Sequence, residues 1–307
     1  MSAVVGISRA TSLNHADRVR RTVALLRRRG YAVAPGRLGE LCVGGPLDER
    51  DVRWAVAARS DLEVVDDLVV DRADIDRVEV ISRRARAHHA ESTPYVAMTA
   101  AFTRTLVALA PFVRSVSIAG SLASGGFRAS DDVDLNLIVD DGHRHLAYVA
   151  VNLLGLAHAL GHRSKPVDAL TRRPIAPRLM TANLILERSQ CFPLQRQDED
   201  MAFELMVAEP VFGADEVAAV VEANPALSDL FPQLEAKRAT LSIDAPAHRL
   251  PCAIFPHALD GAARMLGQTG WRYMQWTRRN SPEALARVAY VRSTMRPYTL
   301  FDQPDPL

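Results

Sequence analysis

Val113-Arg-Ser-Val-Ser-Ile-Ala-Gly-Ser-Leu-Ala-Ser-Gly-Gly-Phe-Arg-Ala-Ser-Asp-Asp-Val-Asp-Leu-Asn-Leu-Ile-Val139 decides how the chain is read. Val113, Ile118 and Ala119 belong to an apolar run that stops at Gly120-Ser121. Ten residues later comes Asp132-Val133-Asp134, followed by Leu135, Leu137, Ile138 and Val139. The pattern is strand, glycine-rich turn, strand. Residues i and i+2 of a strand share a face, so Asp132 and Asp134 are expected to point together while Val133 enters the core. Two carboxylates about 6–7 Å apart along a strand repel unless a cation lies between them. A hard divalent ion meets that need, because Mg²⁺ takes oxygen ligands and brings phosphate with it.

The turn upstream supplies the complementary half. Gly120 lets the backbone approach a ligand closely. Ser121 and the residues after it can open a short helix whose free N–H groups face an anion. A phosphate-binding turn followed by a metal-binding strand is equipment for nucleotidyl transfer. Gly-Ser, ten residues, then Asp-hydrophobic-Asp-hydrophobic resembles the signature of the polymerase-beta-like nucleotidyltransferase superfamily.

That resemblance implies an α+β nucleotidyltransferase fold, a small mixed sheet flanked by helices. It implies Asp132 and Asp134 as catalytic ligands of two Mg²⁺ ions, with Mn²⁺ able to substitute. Gly120, Ser121, Ser124 and Arg128 would contact the nucleotide. The implied partners are a nucleoside triphosphate donor and a hydroxyl or amine acceptor, read here as a small molecule, with pyrophosphate released. The superfamily usually adds a third acid from a later strand. Three readings stay open for it: Asp168 in Lys165-Pro-Val-Asp168, Glu187 at the end of a strand from Leu179, or none, with Asn183 in its place.

Length and composition set the frame. A chain of 307 residues can hold two or three domains with a substantial core. Hydrophobic content of 48% and charged content of 24% are ordinary for a globular protein. The net charge of +1 argues neither for nor against a nucleic-acid partner, which stays open without being favoured. Cys42, Cys191 and Cys252 are widely spaced with no metal-ligand pairing, as in a reducing compartment. No signal pattern or long apolar stretch is apparent, so a cytoplasmic protein without a membrane partner is expected.

Before the motif, His15 to Arg29 reads as a helix with Val19, Val23 and Leu26 on one face and Gly30 as its stop. Its arginines read as a solvated face. Ala34 to Leu41 and Leu47 to Ala58 could form two more helices. Leu62-Glu-Val-Val65, Asp66-Asp67 and Leu68-Val-Val70 read as a two-residue hairpin. Three helices and a hairpin in residues 1–75 resemble a winged helix, although its third helix is mixed in sign, which favours a structural or protein-contact role over DNA reading. Residues 76–214 would be the nucleotidyltransferase core. Within it, Arg83 to His89 reads as a solvated basic face, and Pro94 as the start of a fresh helix capped by Thr93.

Residues 215–307 would be a helical C-terminal domain in which Trp271, Tyr273, Met274 and Trp276 are candidates for a pocket wall, with core packing the more frequent use of such residues. Asn183-Leu-Ile-Leu186, Glu209-Pro-Val-Phe-Gly213, Asn224, Phe231-Pro232 and the stretch from Trp271 to Glu283 are similar to features of a less-studied bacterial branch of the superfamily. A second function class remains beside the enzyme: a nucleotide-binding regulatory or scaffold protein that has lost catalysis.

Overall fold

The computed structural model describes residues 13–167 and 176–301. The chain opens with α1 (His15–Arg28), α2 (Pro35–Glu40) and α3 (Glu49–Ala57), then the strands β1 (Leu62–Val65) and β2 (Leu68–Asp71). Asn14 caps α1 by accepting the Asp17 N–H at 2.9 Å, and Gly30, at φ +79°, turns the chain away after its end. β1 and β2 pair antiparallel. Asp66 and Asp67 both take positive φ (50° and 59°), as a two-residue turn matched to strand twist demands.

A short 3₁₀ turn leads into α4 (Val78–Leu109), one helix of 32 residues that continues through Pro94. The expected break at Pro94 does not occur. Proline removes one N–H and crowds the preceding turn, a cost of about 3 kcal/mol. Burial at both ends of α4, through Ile81 on one side and Phe102, Leu106 and Val107 on the other, outweighs it.

β3 (Val113–Ala119), α5 (Gly120–Ser124) and β4 (Val133–Val139) follow, then α6 (Arg144–Leu160) and β5 (Met180–Glu187). After α7 (Arg188–Cys191) and α8 (Glu199–Val207), β6 (Glu209–Phe212) completes a four-stranded sheet of order β5-β4-β3-β6. β3 runs antiparallel to β4 and β6, and β4 parallel to β5, so the sheet is mixed and the class is α+β. The C-terminal helices are α9 (Ala214–Glu222), α10 (Pro225–Leu230), α11 (Gln233–Ala236), α12 (Ala258–Arg278) and α13 (Pro282–Thr294).

Strand alternation explains how this sheet is covered. Val133, Leu135, Leu137 and Val139 of β4 face a core shared with α4 and α6. Ile138 of β4 with Leu184 and Leu186 of β5 face the opposite core. That second core joins α1, α2 and α3 to Met201 and Phe203 of α8, Val220 of α9 and Leu227 of α10. The N-terminal module and α8–α10 thus bury their apolar faces against each other. Two arginines of α1 cross this junction, Arg21 to Glu199 at 2.6 Å and Arg28 to Asp200 at 3.0 Å, while Arg18 donates within the N-terminal module to the Val43 carbonyl at 2.8 Å. Among the described residues no helix is long and apolar enough to cross a membrane.

Candidate functional site

β3 ends at Ala119, and the chain turns at once into α5. Gly120 has φ +59°, and a Cβ at this position would lie 2.0 Å from Asp134 Oδ2. Only glycine fits there, both by backbone conformation and by space. On the other side of the same carboxylate, Thr181 of β5 donates to Oδ1 at 3.1 Å. Asp134 is therefore bracketed between the turn and the parallel neighbour strand, opposite Thr181 in register. Asp132 precedes β4 by one residue and takes a 3.1 Å ion pair from Arg278 at the end of α12. Val133 between them is fully buried, as alternation requires.

The loop between α5 and β4 is fixed by one face of α4. Arg84, His88, Glu91 and Tyr95 recur at helical spacing, and each holds this loop. Arg84 pairs with Asp131 at 3.0 Å and donates to the Gly126 carbonyl. His88 Nδ1 accepts the Phe127 N–H at 3.3 Å, Glu91 accepts the Ala129 N–H at 2.6 Å, and the Tyr95 hydroxyl donates to the Ala129 carbonyl at 3.1 Å. The basic run at Arg83 to His89 is thus divided. Arg83 stays on the surface with Glu79, whereas Arg84 and His88 turn inward. The solvated-face reading fails for those two because the following loop carries backbone groups that need partners.

The remaining expected contacts are placed as follows. Ser121 is buried, and its hydroxyl has no hydrogen-bond partner among the described residues. Ser124 donates to the Gly120 carbonyl at 2.7 Å, which closes the turn. Arg128 pairs with Asp131 at 3.2 Å. Glu187 lies at the far end of β5, level with Val139, and accepts the Gly142 N–H at 2.8 Å, so it is a turn anchor remote from Asp132. Asp168 lies outside the described residues. Asn183 faces the site, but its amide donates to Asn136 at 3.0 Å and to Glu204 at 3.1 Å. Glu204 also accepts from Asn136 at 3.0 Å and lies 3.7 Å from Arg29, a buried network behind the carboxylates. Sequence reading missed Glu204 because α8 is distant in the chain and shows no motif.

Gly120, Asp131, Asp132, Asp134, Thr181 and Asn183 line one wall of a cavity of about 640 Å³. Trp271 and Met274 of α12 face it, whereas Tyr273 and Trp276 lie largely exposed and stack on one another. Among the described residues lysine and arginine side chains outnumber carboxylates in the lining of this cavity, and several of them are already paired, Arg84 and Arg128 with Asp131 and Arg278 with Asp132. Lys165 sits deep in it, donating to the Asp131 carbonyl at 2.7 Å, and burial holds its ammonium below the usual lysine range against the pull of Asp132. Arg178, half-buried, lines the same cavity and is drawn to Asp132. Among the described residues there is no group of three metal-ligating side chains. Two carboxylates suffice for Mg²⁺ when phosphate oxygens and water complete its shell, so the donor set present fits that ion.

No protein-family model, curated protein or solved structure matches the chain.

Two predictions follow from this geometry. Gly120→Ala adds a methyl group in the left-handed region, about 1–2 kcal/mol of backbone cost alone, and displaces Asp134. A lower urea midpoint is expected, and an unchanged midpoint would contradict the packing. His88 offers a pH test. Burial, then the charges of His89 and Arg37, hold its imidazole below 6.5, and Nδ1 must stay unprotonated to accept from Phe127. The folded state then binds fewer protons than the unfolded one just below this value, so stability is full above about pH 7 and falls as pH drops through 6.5. His88→Gln should flatten that decline in urea midpoints measured between pH 7.5 and 5.5.

Proposed function

We propose that the chain is a Mg²⁺-dependent nucleotidyltransferase, which moves a nucleoside monophosphate from a nucleoside triphosphate to a hydroxyl or amine acceptor and releases pyrophosphate. The observation that carries this reading is the packing of Asp134 against Gly120 at the wall of a cavity rich in guanidinium groups. It joins the proposed phosphate turn to the proposed metal ligands at van der Waals distance. Asp132 and Asp134 would hold the metal, which would neutralise the phosphate chain and polarise the α-phosphorus. The chain's own residues would do the rest. Ser121 offers a buried hydroxyl that lacks a partner, and the backbone at α5 lies beside Asp134. Lys165 adds a positive charge next to Asp132, in a low-dielectric place where charge counts for more. Positioning and electrostatics would supply most of the rate.

One observation supports a second reading, that of a nucleotide-binding protein without turnover. Opposite Asp134 on β5 stands Thr181, and two positions on stands Asn183, so the described part of this strand brings no third acid to the site. The module of three helices and a hairpin would then be a winged-helix-like contact surface. Its third helix exposes Trp54 and carries Arg53 paired with Glu49 and Asp67, a mixed face better suited to protein than to DNA.

Calorimetric titration of each ribonucleoside triphosphate with Mg²⁺ tests the proposal. Wild type should bind one of them in a metal-dependent way, and Asp132→Asn/Asp134→Asn should lose at least about tenfold in affinity, roughly 1.4 kcal/mol. Binding indifferent to both aspartates would sink the metal-site argument. Binding without pyrophosphate release, across a broad acceptor screen, would favour the second reading.

A further inference from the structure

The two aspartates divide the cavity into unlike halves. Gly120 lies against one oxygen of Asp134 on the β3 side, and Thr181 donates to the other on the β5 side. The Gly-Ser turn thus occupies one flank. Arg178, just before β5, lies across β4 from that turn and donates to Thr277, the neighbour of Arg278 on α12, and Arg178, Arg278 and Tyr148 of α6 all line the cavity.

This second flank carries two independent costs. Burial, reinforced by the neighbouring charge of Arg278, brings the Arg178 guanidinium down to about 10 against the attraction of Asp132. Arg178 donates to Thr277 Oγ1 at 2.7 Å and the Met274 carbonyl at 3.3 Å, neutral partners that cancel no charge. Asp132 is the carboxylate shared by Lys165, Arg178 and Arg278. One carboxylate offsets only one of these cations, and like charges gathered in a partly buried place disfavour one another unless a further anion joins them.

The other cost is at Tyr148. Its side chain is 5% exposed, and its hydroxyl has no hydrogen-bond partner among the described residues. Asn152, one turn on, is near enough to favour the phenolate, but it donates its Nδ2 to the Tyr148 carbonyl at 2.8 Å. Burial raises the phenol, so it remains an O–H donor throughout the neutral range. An unsatisfied buried hydroxyl is costly, and packing does not ask for it. The ring meets Phe301 edge-on at 5.1 Å, a contact phenylalanine would make equally well.

We propose that Arg178, Arg278 and Tyr148 form the acceptor subsite of the transferase, and that the acceptor is a small phosphate monoester. Its phosphate would take N–H groups from both guanidinium groups and the O–H of Tyr148, while a separate hydroxyl of the same molecule faces Asp132 and Asp134. Guanidinium forks and a phenol match the several oxygens of a phosphate better than the two of a carboxylate. This inference rests on the nucleotidyltransferase reading above. An in-line displacement puts the acceptor and the departing pyrophosphate on opposite sides of the reacting phosphorus. The cluster and the Gly-Ser turn stand on opposite sides of the aspartates in the same way. The acceptor oxygen bonds to the α-phosphorus as the bond from that phosphorus to pyrophosphate breaks. The hydroxyl proton passes to solvent, and the products are the nucleotidylated phosphomonoester and pyrophosphate.

Inorganic phosphate is the probe, titrated by calorimetry into the full chain without nucleotide. Wild type should bind it, and Tyr148→Phe and Arg178→Gln should each weaken that binding at least about tenfold. Tyr148→Phe removes an oxygen without a partner, so its thermal midpoint should stay level or rise. Mg²⁺-triphosphate binding should change less than about threefold in Tyr148→Phe. No phosphate binding by wild type, or binding indifferent to Tyr148→Phe, overturns the proposal. Equal loss of triphosphate and phosphate binding also overturns it, by assigning the cluster to the donor. Tighter binding of acetate than of phosphate at the cluster overturns it in favour of a carboxylate. Phosphate binding lost in the variants, with no triphosphate bound even by wild type, would contradict the transferase reading while supporting the anion subsite.

Discussion

The missing side chain of Gly120 is the constraint on which the site depends. With φ at +59° and Asp134 Oδ2 where a Cβ would project, this position accepts hydrogen and nothing larger. The close approach draws the end of β3 and the start of β4 together at their functional end, where Ala119 pairs with Asp134. Each later feature builds on it. Both carboxylates line the cavity, Asp134 from a strand held in register on both edges and Asp132 from the residue just before it. Thr181 can then reach Asp134 only because β5 runs parallel and level with it.

A rigid sheet end still needs its connecting loop fixed, and α4 does this with a line of polar side chains. Arg84, Glu91 and Tyr95 bind backbone groups of residues 126–129, and Arg84 also neutralises Asp131. Asp131 is thereby taken up by Arg84 and Arg128, whereas Asp132 pairs with Arg278 across the cavity. The electrostatic balance is deliberate in its asymmetry. Arg84 of α4, Arg278 of α12 and Lys165 and Arg178 from the segments before β5 gather around Asp131 and Asp132.

Much of this was legible in the chain because it is local. The strand–turn–strand of 113–139, the α1 face with its stop at Gly30, and the Asp66-Asp67 hairpin are all written in neighbouring residues. What escaped depends on contacts between distant segments. Arg84 and His88 look like a solvated run until the loop 40 residues on is seen to lack partners. Lys165, Arg178 and Arg278 are far apart in the chain, and only the fold brings them to Asp132. Pro94 misled for a related reason: its local cost is real, but burial at both ends of α4 exceeds it. The apolar face of the N-terminal module completes a core with α8 and α10 that sequence spacing cannot reveal.

The central claim is that Asp132 and Asp134 hold a divalent ion together with a nucleoside triphosphate. Crystals of the chain grown with Mn²⁺ and a triphosphate analogue resistant to cleavage between the α- and β-phosphorus test it most directly, through the anomalous signal of the metal. The account predicts a peak within bonding distance of both carboxylates, with the phosphate chain running toward Gly120 and Ser121 and Arg278 moved off Asp132. A triphosphate bound elsewhere, or a metal that leaves the Asp132–Arg278 pair intact, would contradict it.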